Sequence, residues 1–178
     1  KKKLGKEFSQ GSINENPAVS FDGNTIVYTE RRGVNNAIMW SRKTDGKWQM
    51  PVEINVQLKC GEDCSSSSLN YDGTLLFLYK TDNYDGNIFT SEFINGAWTP
   101  IKKLNRNINT KYYESHASVS ADGKKLYFTS NREGGSGGLD IYVSEKDATG
   151  DWGPATNLGN TINTAFNEDT PFITLNDS

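Results

Sequence analysis

Few residues in this chain are equipped for chemistry. His116 is the single histidine among 178 residues, and Glu114 stands two positions before it. In an extended segment that spacing puts both side chains on one face, as an acid–base pair needs. No Ser or Cys nucleophile is identifiable beside them, so a hydrogen-bonded structural role is the expectation for His116. Cys60 and Cys64 are the sole cysteines, separated by three residues within a loop. A metal site there would need two more ligands that are not nearby, and a disulfide stapling the loop is the favoured reading, with its bonding left open. The run Asp82-Asn83-Tyr84-Asp85-Gly86-Asn87 offers oxygen ligands and a turn glycine, as in part of a calcium loop. It lacks the regular alternation and the bidentate Glu of such a loop, so Asp82, Asp85 and Asn87 are weak metal candidates and a β-turn is the expectation. Two acidic pairs, Glu62-Asp63 and Glu168-Asp169, read as solvated loop charge that would form an acidic edge if they share a rim.

The elements that must carry these residues come from an internal repeat. Asp22-Gly23, Asp72-Gly73 and Asp122-Gly123 are each 50 residues from the next (72 − 22 = 122 − 72). Apolar Val19, Leu69 and Val119 precede them, and the runs Ile26 to Thr29, Leu76 to Tyr79 and Leu126 to Thr129 follow. A second run comes next in each copy, beginning at Ile38, Ile88 and Ile141. Each copy closes on Gly-x-Trp, at Trp48, Trp98 and Trp152, with Pro51, Pro100 or Pro154 soon after. Self-similarity at such a period marks a repeat architecture.

The apolar runs are short and bounded by turn residues, which suits strands and not long helices. Each copy reads as four antiparallel strands. The first precedes Asp-Gly, whose hairpin favours positive φ at both residues. The fourth spans Val52 to Val56, Ile101 to Leu104 or Ala155 to Leu158. Four strands in about 50 residues is the size of a propeller blade. The expected fold is all-β: an arc of three complete blades (16–65, 66–113 and 114–166), with residues 1–15 as the outer strand of a preceding blade and 167–178 as the first strand of a following one. Such an arc does not close a ring, so a longer parent protein is expected. The recurring tryptophans are assigned to packing between blades, and the Asp of each Asp-Gly to bonding turn amides.

Aligning the copies sorts structural from candidate functional positions. His116 has Asn16, Ser66 and Thr170 as counterparts at the start of the inner strand, where a propeller's channel or rim lies. Asn16, Ser66, Glu114, His116, Asp169 and Thr170 are therefore the candidate binding residues, with no catalytic residue assigned.

The stretch Ala117-Ser118-Val119-Ser120-Ala121-Asp122-Gly123-Lys124-Lys125-Leu126-Tyr127-Phe128-Thr129-Ser130-Asn131-Arg132, followed by Gly138-Leu139-Asp140-Ile141-Tyr142, resembles the WD40-like repeat of TolB-type β-propellers, and the likeness covers essentially the whole chain. The middle copy departs from it, reading Lys80-Thr81-Asp82 where the third has Ser130-Asn131-Arg132. The glycine-rich second loop and the Trp before Pro look most like repeats of Bacteroidetes-type envelope proteins, which often carry an OmpA-like peptidoglycan-binding domain. That resemblance implies a periplasmic or outer-membrane-associated location. It also implies a non-catalytic module that holds an envelope protein or peptide, or a glycan or peptidoglycan through a flanking domain. The alternative it implies is the propeller of a polysaccharide lyase, hydrolase or peptidase. The net charge of −3 and the short basic runs argue against a nucleic-acid surface. No run approaches the roughly 18 apolar residues of a membrane-crossing helix, and no cofactor is expected beyond the weak calcium candidate.

Overall fold

The computed structural model describes residues 4–5, 8, 13–82 and 85–175, with Asp82 described by its backbone alone. Turn chemistry and short apolar runs produce three antiparallel sheets in chain order. The first contains β1 (Ile13–Val19), β2 (Thr25–Arg32) and β3 (Asn35–Thr44), with β4 (Lys47–Trp48) and β5 (Val52–Glu53) both paired to β3. After a helical turn, α1 (Asn55–Leu58), the second sheet contains β6 (Cys64–Leu69), β7 (Leu75–Asp82) and β8 (Asp85–Ile94), with β9 (Ala97–Trp98) and β10 (Lys102–Lys103) paired to β8. The third orders β11 (Glu114–Val119), β12 (Lys125–Ser130), β13 (Asp140–Glu145) and β14 (Thr156–Asn157) side by side. These are propeller blades, each ending in a short outer strand: β5, β10 or β14.

The turns show which residues set the register. At Asp22-Gly23 the Gly23 N–H donates to the Ser20 carbonyl at 2.8 Å, and Gly73 and Gly123 repeat this at 3.2 and 2.9 Å. The glycines have φ of 72°, 69° and 72°, but the aspartates are not in the left-handed region. The expectation of positive φ at both residues is corrected here. The loop is a four-residue turn in which Asp keeps ordinary φ and its carboxylate accepts the amide of residue i+2, at 2.9 Å from Asn24 and 3.0 Å from Lys124. Two-residue turns with positive φ at both positions occur instead at the Gly-x-Trp hairpins. Asp45-Gly46 (φ 51° and 72°) and Asn95-Gly96 (φ 52° and 83°) carry them.

The core lies between blades. Trp98 of the second sheet is buried in a cluster with Val27, Ile38, Ile54 and Leu58, contributed by the first sheet and the segment that follows it. Trp152 joins Phe77 and Ile88 of the second sheet with Leu126 and Phe128 of the third. Trp48 packs with Phe8, Tyr28 and Met39, edge-on to Phe8 at 5.8 Å. Each Gly-x-Trp thus closes its own blade onto the preceding segment.

Three expectations change. The fourth strand of the first copy stops at Glu53, because Asn55 begins α1 and turns its amide back to β3. Ile13 to Glu15 belong to β1 rather than to a preceding outer strand, most of whose expected length falls outside the described residues. Residues 167–174 form no regular ladder. They run beside the third sheet, held by Glu168 N–H to Leu139 O (2.7 Å) and by Ile173 N–H to the side chain, not the backbone, of Ser118 in β11 (3.2 Å).

Candidate functional site

The inner strand of each blade carries an irregularity at the same place. Pairing slips between Glu15 and Ala18, between Ser66 and Ser68, and between Ser115 and Ser118. Such a bulge re-aims side chains and interrupts the strict alternation of a strand. Asn16 (φ 49°), His116 (φ 41°) and Thr170 (φ 55°) are left-handed there, whereas Ser66 is not.

The bulges bring the candidates into one polar array across neighbouring blades. His116 Nδ1 lies 2.9 Å from Asp169 Oδ1 and 3.1 Å from Ser115 Oγ. A proton on Nδ1, directed at the carboxylate, is the tautomer this contact calls for. The same Asp169 oxygen accepts the Thr129 hydroxyl at 2.9 Å and the Thr170 N–H at 2.7 Å. The imidazole packs on the Tyr79 ring, centroids 4.4 Å apart, and the Tyr79 hydroxyl accepts Asn16 Nδ2 at 3.3 Å. Ser66 closes the line: its hydroxyl donates to the Asn16 carbonyl and its N–H to Thr29 Oγ1, both at 2.9 Å. Burial pushes the Asp169 carboxyl up, but the hydrogen bond and charge of His116, with the Thr170 amide and Thr129 hydroxyl, outweigh it and hold the group below the ordinary carboxylate value.

Glu114 is not part of this array. The turn of backbone at His116 breaks the alternation that would have put both on one face. Its carboxylate is fully buried and accepts Thr110 N–H (2.8 Å), Thr110 Oγ1 (2.6 Å), Ser130 Oγ (2.9 Å) and Arg132 Nη2 (3.4 Å). Arg132 stacks over Phe128 and Tyr142 at 5.0 and 4.8 Å and donates to the Ile108 carbonyl at 2.7 Å. Burial, outweighing the nearby Glu114 carboxylate, lowers the guanidinium from its ordinary value. This is a structural clasp, and the next copy repeats it: Thr164 N–H and Oγ1 donate to Glu168 at 2.9 and 2.5 Å.

The other candidates scatter. Asp85 is exposed and Asn87 is buried in β8, its Oδ1 without a partner, so the expected polar loop is a hairpin whose strands run through these positions. Residues 83–84 and the Asp82 side chain lie outside the described residues. Among the described residues no group of three His, Cys, Asp or Glu is placed to hold a metal. Cys60 and Cys64 are buried and stand as free thiols, Cys64 Sγ donating to the Cys60 carbonyl at 3.1 Å.

Two depressions flank these groups. A crevice of about 60 Å³ lies where the inner strands approach the rim of the Asp-Gly turns, with Pro17, Phe21, Ser67, Ser118, Pro171 and Phe172 in its wall. On that rim Phe21 and Tyr71 stack with centroids 6.5 Å apart. A wider cleft of about 540 Å³ is lined by Lys103, Arg106 and Lys111 around Asn105, Asn109 and Thr110. It contains none of the candidate site residues, and Asn109 and Thr110 are already engaged in structural hydrogen bonds.

Sequence reasoning missed Tyr79, Arg132 and a column of asparagines. Tyr79 was visible as the aromatic departure at a position where the other copies have Thr29 and Thr129. Asn55, Asn109 and Asn163 recur every 54 residues (109 − 55 = 163 − 109). Their Oδ1 atoms accept Ile38, Ile88 and Ile141 N–H at 2.6, 2.7 and 2.8 Å, near the start of the third strand of each blade.

Four-stranded blades arranged in an arc around shared inner strands define this chain as part of a β-propeller. Its fold is that of TolB-type blades. The chain is similar to TolB from Acinetobacter baumannii (TM-score 0.60, 19% identity, 89% of this chain and 34% of that one) and to a putative TolB from Agrobacterium tumefaciens (0.58, 17%, 93% and 52%). It is also similar to a puromycin-hydrolyzing peptidase from Mycobacterium tuberculosis (0.55, 16%, 85% and 23%). The chain therefore spans about a third to a half of the TolB chains it matches. No family model and no curated protein matches it.

Proposed function

We propose that the chain is a non-catalytic propeller module of the cell envelope, a scaffold that holds a protein, peptide or glycan partner on the rim of its Asp-Gly turns. One observation carries this reading: the groups best suited to acid–base work are engaged with one another as structure. Asp169 Oδ1 meets His116, Thr129 and Thr170, and Glu114 is enclosed by Thr110, Ser130 and Arg132. The rim, by contrast, presents the Phe21–Tyr71 stack and Phe172, which is 78% exposed. Loops on a rigid scaffold are the usual place for contacts. The TolB likeness and the resemblance of the repeats favour a periplasmic or outer-membrane-associated protein of Bacteroidetes type, with a flanking OmpA-like domain reaching peptidoglycan. No cofactor is part of this reading.

The test is site-specific photo-crosslinking in the parent protein, expressed in its own cells and fractionated. Probes at Tyr71 and Phe172 are expected to give the same discrete adduct in the envelope fraction. A probe at Val34, in the turn on the opposite rim, is expected to give none. Equal labelling from both rims, or a cytosolic parent, overturns the reading. The peptidase likeness favours a second reading, an accessory propeller beside a hydrolase domain. Under it the parent protein hydrolyses peptide substrates, and removing these blades changes substrate size selection.

A further inference from the structure

We propose that Cys60 and Cys64 are a site of oxidation that closes the loop before β6 as a disulfide, the covalent counterpart of a clasp that the next two copies make with hydrogen bonds. The repeat itself is the evidence. Cys64 pairs with Lys80 across the β6–β7 ladder as Glu114 pairs with Ser130 across β11–β12, so positions 60 and 64 correspond to Thr110 and Glu114. In the third copy, residues i and i+4 are joined side chain to side chain at 2.6 Å, and Thr164 and Glu168 are joined at 2.5 Å. The ladder register thus places the two cysteines where the later copies join two side chains, in a loop with a tighter turn of its own. Both cysteines substitute in the same copy, which removes the hydrogen-bonded clasp and leaves a pair with the spacing to bond.

The surroundings agree. Lys59 (φ 51°) and Gly61 (φ 74°) fold the loop tightly, and both cysteines are buried, at 1% and 0% exposure. Cys64 Sγ donates to the Cys60 carbonyl at 3.1 Å and Cys60 Sγ to the Gly61 carbonyl at 3.5 Å, so both thiols lie within the turn of the loop. Around them, Asn55 Nδ2 donates to the Gly61 carbonyl, Asn36 N–H donates to the Glu62 carbonyl at 2.8 Å, and Asn36 Nδ2 donates to the Cys64 carbonyl at 3.2 Å. The loop is therefore anchored to the preceding blade between the two cysteines and at Cys64. Its buried position places oxidation before the loop packs, during folding.

The reaction balances with a disulfide donor. The Cys60 thiolate attacks one sulfur of the donor and releases its other half as a thiol; the Cys64 thiolate then displaces the second half. Two protons leave the cysteines, the Cys60–Cys64 bond forms, and the donor is reduced to two thiols. A clasp of five residues favours the folded state by about thirtyfold on the loop-entropy relation.

The test is refolding of the chain with a glutathione redox pair, followed by unfolding and thiol labelling. The expected product carries no free thiol and no glutathione adduct, and is lighter than the reduced chain by two hydrogens. Reductant is expected to lower its urea midpoint. Two variants separate loss of the bond from failure to fold. C60S/C64S removes the bond and should match the reduced protein. C60T/C64E installs the hydrogen-bonded clasp and should be more stable than that double serine variant and indifferent to reductant. Two free thiols after oxidative refolding overturn the proposal, as do glutathione mixed disulfides without the internal bond, or a midpoint unmoved by reductant. These outcomes do not depend on cellular location or on any rim partner.

Discussion

Removing the Glu114 side chain is the sharpest test of the structural assignment of the acidic residue nearest the lone histidine. Its carboxylate is fully buried, and four donors converge on it: the Thr110 amide and hydroxyl, the Ser130 hydroxyl and Arg132 Nη2. Glu114→Ala leaves all four facing a void. Breaking a buried ion pair on one side typically costs about 3–5 kcal/mol. Arg132 keeps its bonds to the Ile108 and Asn107 carbonyls and its two aromatic faces, and its side chain is 14% exposed. The expected loss is therefore at the lower end, about 3 kcal/mol. With a urea slope of about 2 kcal/mol/M, the midpoint falls by about 1.5 M. Glu114→Gln separates hydrogen bonding from charge. Its oxygen can serve the three donors now on Oε1, while its amide nitrogen opposes the Thr110 N–H, so about 1–2 kcal/mol is expected. Equilibrium urea denaturation followed by tryptophan fluorescence measures both. A loss under about 1 kcal/mol for the alanine variant, or equal losses for the two variants, refutes the clasp.

Further outcomes follow from the same contacts. Trp98→Ala empties the junction of the first two blades and should cost about 3–5 kcal/mol, read as a lowered thermal midpoint; a shift of only a degree or two would place the core elsewhere. Asn109→Ala leaves the buried Ile88 N–H without its acceptor, and a loss of about 2 kcal/mol is expected in urea titration; no loss would mean the asparagine column is decorative. Asp169 contributes stability that is fully present above its unfolded value of 3.8 and is lost as pH falls through its lower folded value, because the unfolded chain then binds more protons. Asp169→Asn should accordingly flatten the acid limb of the stability–pH curve below about pH 4, and an unchanged limb counts against the His116 pairing. At Gly137 an added Cβ would run into the Phe166 carbonyl, so Gly137→Ala should speed amide exchange across residues 164–168; unchanged exchange would show that these loops do not touch.

Legibility followed the range of the forces involved. Blades were readable because Asp-Gly turns, Gly-x-Trp hairpins and apolar runs act within a few residues of themselves. Tyr79 and His116 were harder, since their contact joins two blades and no single strand states it. Glu114 was misplaced for a definite reason: period-two alternation assumes a regular strand, and the bulge at His116 cancels it. The asparagine column escaped because its 54-residue interval differs from the 50-residue beat of the Asp-Gly turns. It sits beyond the variable segment that follows the Gly-x-Trp hairpins. The turn itself was only partly legible, since Asp-Gly fits both a two-residue hairpin and the four-residue turn found here.

The left-handed conformation at His116 invites a functional interpretation, because strained backbone concentrates at active sites. Its recurrence argues otherwise. Asn16, in the first blade, and Thr170, in the segment after the third, adopt the same φ at the equivalent position. Asn tolerates that region readily and His less so, while a β-branched Thr is a true outlier there. Strain shared by three unlike side chains belongs to the repeat and not to the chemistry of His116, although the second blade slips register at Ser66 without it. Where the copies differ is therefore more informative than where they are strained. Ser66 is relaxed and bonds across to Thr29, whereas His116 meets an aromatic ring on one side and a carboxylate on the other. Within a repeated backbone, the Tyr79–His116–Asp169 contact is the specific element. Its role in linking the second and third blades to the segment that follows is set by side chains the repeat does not dictate.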